Sequence, residues 1–134
     1  MEYFDFEKFD VYKVAIEFVI LVDRIAEHLP RGRAYLADQL QRAATSIPFN
    51  IAEGAEEYSS SEKSRFYRMA KRSATECAAI FDVCRRLHLV EEAHYLEGRE
   101  LLVRVVAMLT KLAAKRFVPV PASVPTPDFS DSER

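Results

Sequence analysis

Hydrophobic residues recur every three or four positions in four separate stretches of the chain, which is the spacing of an amphipathic α-helix. Pro30 marks the end of the first stretch, and Ser59 begins a Ser-x-x-Glu capping box before the third. Because every connection is short, neighbouring helices should run antiparallel. The pattern therefore predicts an all-α fold, an antiparallel up-down-up-down four-helix bundle over residues 1–116. Its helices are predicted at 10–29, 34–57, 60–88 and 91–116.

The helical pattern stops at Phe117. Four of the 6 prolines of the chain lie in residues 117–134, and acidic residues follow them. This composition predicts an extended or disordered C-terminal tail rather than another helix.

The first and fourth predicted helices are also apolar outside their main stripe. A single four-helix core needs only one apolar stripe on each helix. The surplus favours a second buried face, and hence self-association, although wide core stripes would give the same pattern. The surplus residues are Ile16, Val19, Ile20, Leu101 and Val103.

The second predicted helix contains a proline, Pro48, within the segment Ser46–Gly54. A proline inside a helix removes a backbone donor and clashes with the preceding turn, at a cost of about 3 kcal/mol. A kink or a partner surface would offset that cost. The segment is therefore a candidate site of assembly or recognition, and an exposed Phe49 would suit a subunit contact.

A polar stripe crosses the same segment on the face away from the apolar residues of the helix. A solvated outer face is the simplest interpretation. Alternatively, Ser46 and Asn50 bond the carbonyl groups that Pro48 leaves without a donor. The stripe consists of Gln39, Arg42, Ser46, Asn50, Glu53 and Glu57.

The composition excludes several classes of function. With 134 residues and a formal net charge of -2, the chain has no overall attraction to nucleic acid or anionic membranes. It has no apolar run of about 18 residues and no signal-peptide pattern at its start, so a cytoplasmic location is expected. Cys77 and Cys84 lie on the apolar stripe of the third helix, which runs from Phe66 to His88. We expect two buried thiols there rather than a disulfide.

Candidate catalytic and metal-binding groups are few. Glu91 and His94 form one Glu-x-x-His pair, whereas a di-iron bundle needs two. Cys84 and His88 have a spacing that can ligate zinc, but no further ligands are evident, so packing is the simpler interpretation. No glycine-rich phosphate loop exists. We therefore expect no enzymatic activity, no cofactor, no metal and no small-molecule substrate.

Two basic clusters contain no acidic residue. In an up-down-up-down bundle the start of the third helix lies beside the end of the fourth, so both clusters should gather at one end of the molecule. One interpretation is a surface that contacts the phosphates of RNA or DNA. The other is pairing with the acidic residues at the same end, within or between subunits. The clusters are Lys63, Arg65, Arg68, Lys71 and Arg72, and Lys111, Lys115 and Arg116.

The segment Ser46–Gly54 resembles the hallmark Ser-Ile-Pro-x-Asn-Ile-Ala-Glu-Gly of a bacterial family of four-helix bundles, and it matches every fixed position. This family is named for proteins encoded in intervening sequences of 23S ribosomal RNA genes. The residues 6–15 and 39–44 resemble the segments that precede the hallmark, and the resemblance spans roughly residues 4–115. It implies a cytoplasmic homo-oligomer, with a pentameric ring as its form, a role in binding RNA or DNA, and no catalysis.

Carried over to this chain, the resemblance singles out the assembly or kink motif. Gln41 and the acidic residues after Gly54 depart from the family pattern, and both changes remove positive charge near the motif. The first hypothesis is therefore a structural or scaffolding homo-oligomer, and the alternative is an RNA- or DNA-binding accessory protein that uses the two basic clusters. The motif positions are Arg42, Ser46, Pro48, Phe49, Asn50, Glu53 and Gly54.

Overall fold

The computed structural model describes residues 2–115, which fold into four α-helices joined by short connections and contain no strand. The all-α prediction is confirmed. Each helix ends slightly before its predicted end, and residues 116–134, including the predicted tail, lie outside the described residues. The helices are α1 (Asp10–His28), α2 (Ala34–Glu56), α3 (Ser60–Arg86) and α4 (Glu92–Ala114).

The four helices surround one core in the order of the chain. Both α1 and α3 pack against α2 and α4, so α1 and α3 face each other across the core. Gln39 at the start of α2 bonds Glu76, while Gly54 near its end lies beside Lys63 at the start of α3. Ser64 contacts Ala113 near the end of α4. The two pairs of α2 indicate that it runs antiparallel to α3, and Ser64 together with the contact of Gly98, early in α4, with Phe81, late in α3, indicates the same for α4.

Aromatic rings fill the centre of the bundle between α1, α3 and α4. The ring centroids of Phe18 and Phe81 lie 5.5 Å apart across the core. A Cβ on Gly98 would lie 2.1 Å from the Phe81 ring, so only glycine permits α4 to approach α3 this closely. Burial of each phenylalanine side chain in this core contributes about 1.5–3 kcal/mol to folding.

The apolar stripe of α3 differs from the predicted one at both ends. Tyr67 is 1% exposed and faces the core, whereas Phe66 is only half-buried. His88 is exposed and lies beyond the last residue of α3 with a φ of 58°, the left-handed region. The Leu89 amide bonds the Cys84 carbonyl and the His88 amide bonds the Arg85 carbonyl, which is a Schellman C-cap. His88 therefore belongs to a helix cap and not to the core.

The hydropathy of the helices sets a further limit. Within residues 2–115, none of the helices is both long enough and apolar enough to pass through a membrane.

Candidate nucleic-acid and assembly surfaces

The segment Ser46–Gly54 is helical throughout, and α2 continues through Pro48 to Glu56 without interruption. Asn50 is 8% exposed, so the interpretation of the polar stripe as an entirely solvated face is wrong at this position. The Asn50 amide nitrogen donates to the Ser46 carbonyl at 2.9 Å and to Ser46 Oγ at 3.0 Å. Pro48 has no backbone N–H, so the carbonyl that lacks its helical donor is that of Ala44, four residues earlier. Asn50 bonds the carbonyl of Ser46 and not that of Ala44.

Ser46 joins the motif to α3. The Ser73 hydroxyl donates to Ser46 Oγ at 2.9 Å, so that oxygen accepts from both Ser73 and Asn50. No described residue donates to the Asn50 side-chain oxygen, and none accepts from the Ser46 hydroxyl. Asn50 therefore has a free acceptor, and the neighbouring Ser46 has a free donor.

A groove of about 550 Å³ opens above this cluster between α2 and α3. Gln39 donates to the Glu76 carboxylate at 3.3 Å and so orients one wall of the groove. The sequence interpretation did not single out Ser73, because its pairing with Ser46 depends on the register between two helices. We call this the polar groove, and its lining residues are Ser46, Asn50, Met69, Arg72, Ser73, Thr75 and Glu76.

Lys63 does not belong to an exposed basic surface, which corrects its assignment as a nucleic-acid contact. It is 8% exposed, and its Nζ donates to the carbonyls of Gly54 at 3.3 Å and Ala55 at 2.9 Å. Those carbonyls lie in the last turn of α2, where a helix leaves acceptors without intrahelical partners. A cation at a helix C-terminus is also favoured by the helix dipole. Lys63 therefore caps α2.

Arg65 is exposed but already engaged. Its guanidinium pairs with Glu62 at 3.1 Å and lies 4.5 Å from the centroid of the Phe66 ring. An exposed pair of this kind contributes about 0–1 kcal/mol to stability, so Arg65 remains available to another anion.

Four cations of α3 still share one face. Arg68 bonds Ser64, whose hydroxyl donates to the Ala113 carbonyl at 2.8 Å, so Arg68 sits at the predicted junction of α3 and α4. A groove of about 380 Å³ runs along this face and adjoins the polar groove. We call it the basic groove, and it is lined by Arg65, Arg68, Met69, Lys71, Arg72 and Thr75.

The second basic cluster is only partly described. Lys111 and Lys115 are exposed near the end of α4, and neither lines the basic groove. Arg116 lies outside the described residues. The structure therefore brings together four of the eight predicted nucleic-acid contacts.

The remaining motif residues have different roles. Arg42 is exposed and pairs with Asp38 at 3.0 Å, and Glu53 is exposed. Phe49 is 64% exposed, as an assembly contact requires. Gly54 is buried against Tyr67. The motif thus combines a polar cluster, a packing glycine and exposed residues on the outer face of α2.

An apolar groove of about 380 Å³ lies between α3 and α4 on another side of the bundle. Val103 at its edge is 57% exposed, whereas Leu101 is buried in the core and so is not surplus apolar surface. Of the other surplus residues, Ile20 is exposed and Ile16 and Val19 are half-buried. The lining of this apolar groove includes Ala78, Phe81, Tyr95, Leu102, Val103 and Val106.

The two thiols are buried and unpaired with each other. Burial raises the pKa of Cys77 to about 12, with a smaller contribution from the Glu76 carboxylate. Burial also raises the pKa of Cys84. Both therefore remain thiols at neutral pH. No group of three His, Cys, Asp or Glu side chains within the described part of the chain is placed to hold a metal ion.

The chain is similar to known proteins in both sequence and fold. The family model of the 23S rRNA-intervening sequence protein matches residues 7–111. A crystal structure of a protein of unknown function from the S23 ribosomal protein family of Bacteroides thetaiotaomicron superposes with a TM-score of 0.72. That protein is 18% identical, and the match covers 78% of this chain and 99% of that chain, so it shows the shared fold. Among curated proteins, none matches significantly. The sequence match over most of the helical bundle places this chain in the 23S rRNA-intervening sequence protein family.

Proposed function

We propose that this protein is a non-enzymatic, structural or scaffolding component that assembles with copies of itself through the face formed by α3 and α4. The observation that carries this proposal is the apolar groove between those helices, with Val103 exposed at its edge. Leu96, two turns earlier on α4, is 54% exposed on the same side. An apolar groove with exposed apolar side chains beside it is typical of protein interfaces.

The mass of the purified protein in solution tests self-assembly. We expect a mass several times that of one chain at micromolar concentration, and a pentameric ring is the form that the sequence resemblance implies. Light scattering combined with size-exclusion chromatography, or native mass spectrometry, measures the number of subunits. A monomer at that concentration contradicts the proposal.

A pair of variants locates the interface. Val103→Glu introduces a charge beside the apolar groove and should lower the assembly to smaller species while leaving the helical content unchanged. The matched control is Ile20→Glu, since Ile20 is an exposed apolar residue of α1 and is 48% exposed. Dissociation by the control and not by Val103→Glu would show that a different face mediates assembly.

We also propose RNA or DNA binding as a second candidate function, because the basic groove places four cations along one face of α3. The net charge of -2 means that this attraction is local to the groove. Affinity for a single-stranded oligonucleotide should fall steeply with salt. Arg68→Ala combined with Arg72→Ala should weaken binding and reduce the salt dependence, whereas Arg104→Ala on exposed α4 surface should not. Undetectable binding at low salt contradicts this function.

The proposed location is the cytoplasm. Two buried free thiols suit a reducing compartment, and the absence of a membrane-spanning helix among residues 2–115 is consistent with it.

A further inference from the structure

The polar groove contains polar atoms that the protein itself leaves unused. Asn50 is more than nine-tenths buried, and its amide nitrogen donates to both the carbonyl and the Oγ of Ser46. This arrangement fixes the orientation of the amide, because only its nitrogen can donate to the Ser46 carbonyl. The Asn50 side-chain oxygen is thereby left as an acceptor without a donor among the described residues, and buried polar atoms in native proteins are rarely left in that state.

Ser46 supplies the complementary group beside it. Its Oγ accepts from Asn50 and from Ser73, so its own hydroxyl hydrogen remains available for donation. The floor of the polar groove therefore presents an acceptor next to a donor. The Watson–Crick edge of a nucleobase presents the opposite pair, an N–H group next to an acceptor.

The position of the basic groove extends this match. The two grooves share Met69, Arg72 and Thr75, so a ligand that crosses Arg72 enters both. Arg68 and Lys71 lie on the basic side, and the Glu76 carboxylate lies on the polar side, where it repels phosphate. A ligand whose anionic group is covalently joined to a ring with an N–H edge therefore fits the two grooves in one orientation.

We propose that the polar groove is a nucleobase subsite. In this arrangement a single-stranded nucleic acid places its phosphates along Arg68, Lys71 and Arg72 and inserts one base, whose edge bonds Asn50 and Ser46. Met69, at the boundary of the grooves, provides a polarizable surface for the ring. A paired base hides this edge in the duplex, so the subsite selects unpaired strands. This proposal rests on the second proposed function, since the phosphates supply the attraction to the basic groove.

Three fluorescent probes of equal length separate the two functions: a single-stranded oligonucleotide, an abasic strand with the same phosphates, and a duplex. We expect the single strand to bind about tenfold more tightly than the abasic strand at moderate salt. Equal affinity for the single and abasic strands would overturn the nucleobase subsite while leaving phosphate binding in place. Tighter binding of the duplex would overturn it as well, and no binding of any probe would remove both functions.

Variants then assign the contacts. Asn50→Leu keeps the branched shape of the side chain and removes both the acceptor and the donor to Ser46. It should lose most of the preference for the single strand over the abasic strand without altering the salt dependence. Arg72→Ala should weaken both probes and reduce the salt dependence by about one phosphate contact. Ser46→Ala removes the proposed donor to the base and is the second test if Asn50→Leu unfolds. An unchanged preference in both folded variants, or in Ser46→Ala alone where Asn50→Leu unfolds, overturns the proposal.

Discussion

Gly54 of α2 packs so closely against Tyr67 of α3 that a Cβ on the glycine would lie 2.7 Å from ring atom Cε1. The last position of the family motif is thus where the two helices approach each other, since only a hydrogen fits on that side of α2. The same approach brings the Gly54 carbonyl within reach of Lys63.

Gly54→Ala should destabilise the protein by about 1–3 kcal/mol, because the added methyl group displaces the Tyr67 ring or separates the helices. Gly32→Ala is the matched control, since a Cβ there meets nothing within 4 Å. Urea unfolding followed by circular dichroism measures both. Equal stabilities of the two variants would contradict the close packing.

Lys63→Met should lower the free energy of unfolding by about 1–3 kcal/mol, because it keeps the aliphatic stem and removes the donor to the last turn of α2. Lys71→Met is the control in the basic groove of the same helix. The control should weaken oligonucleotide binding with little change in stability, whereas Lys63→Met should do the reverse. Loss of binding by Lys63→Met at unchanged stability would restore Lys63 as a nucleic-acid contact.

His88→Gly should stabilise the protein by about 1 kcal/mol, because His88 adopts the left-handed conformation that glycine reaches without strain. Leu87→Gly, one residue earlier at a φ of -88°, should instead destabilise it. Thermal unfolding compares the two. Stabilisation by Leu87→Gly and not by His88→Gly would show that the cap is formed differently.

Stability should fall as the pH rises above 9. Burial raises the pKa of Cys77 from 9.0 to about 12, and burial followed by the Glu56 charge raises the pKa of Tyr67 from 10.0 to about 12. The unfolded chain releases these protons first, so their contribution is complete below pH 9 and is lost as the pH approaches 12. The free energy of unfolding should fall by up to about 1.4 kcal/mol per pH unit for each group.

The variant Cys77→Ala tests that pH dependence. It should reduce the part of the decline that begins near pH 9, to which Cys84 also contributes, and leave the part that begins near pH 10, which belongs to Tyr67. Urea unfolding between pH 8 and about 11 gives both slopes. The same decline in the variant and in the original protein would exclude Cys77 as its source.

The helices were predictable because their signals are local. Pro30 and the capping box at Ser59 are read within a few residues, and the Ser59 side chain does accept from the Glu62 amide. The burial of individual polar residues was less predictable. The helical periodicity of α2 places Asn50 on the polar stripe, yet Asn50 is buried against Ser46 where α3 covers that side of α2.

The sequence by itself determined four amphipathic helices, their order and the family, since periodicity, caps and the Ser46–Gly54 motif depend only on nearby residues. Only the tertiary structure decided that Lys63 caps α2 while Arg68 and Arg72 line an open groove. All three belong to one acid-free cluster, and the difference between them arises from the backbone carbonyls that α2 brings beside the start of α3. The environment of a charged side chain depends on such non-local neighbours, and they exist only after the helices have packed.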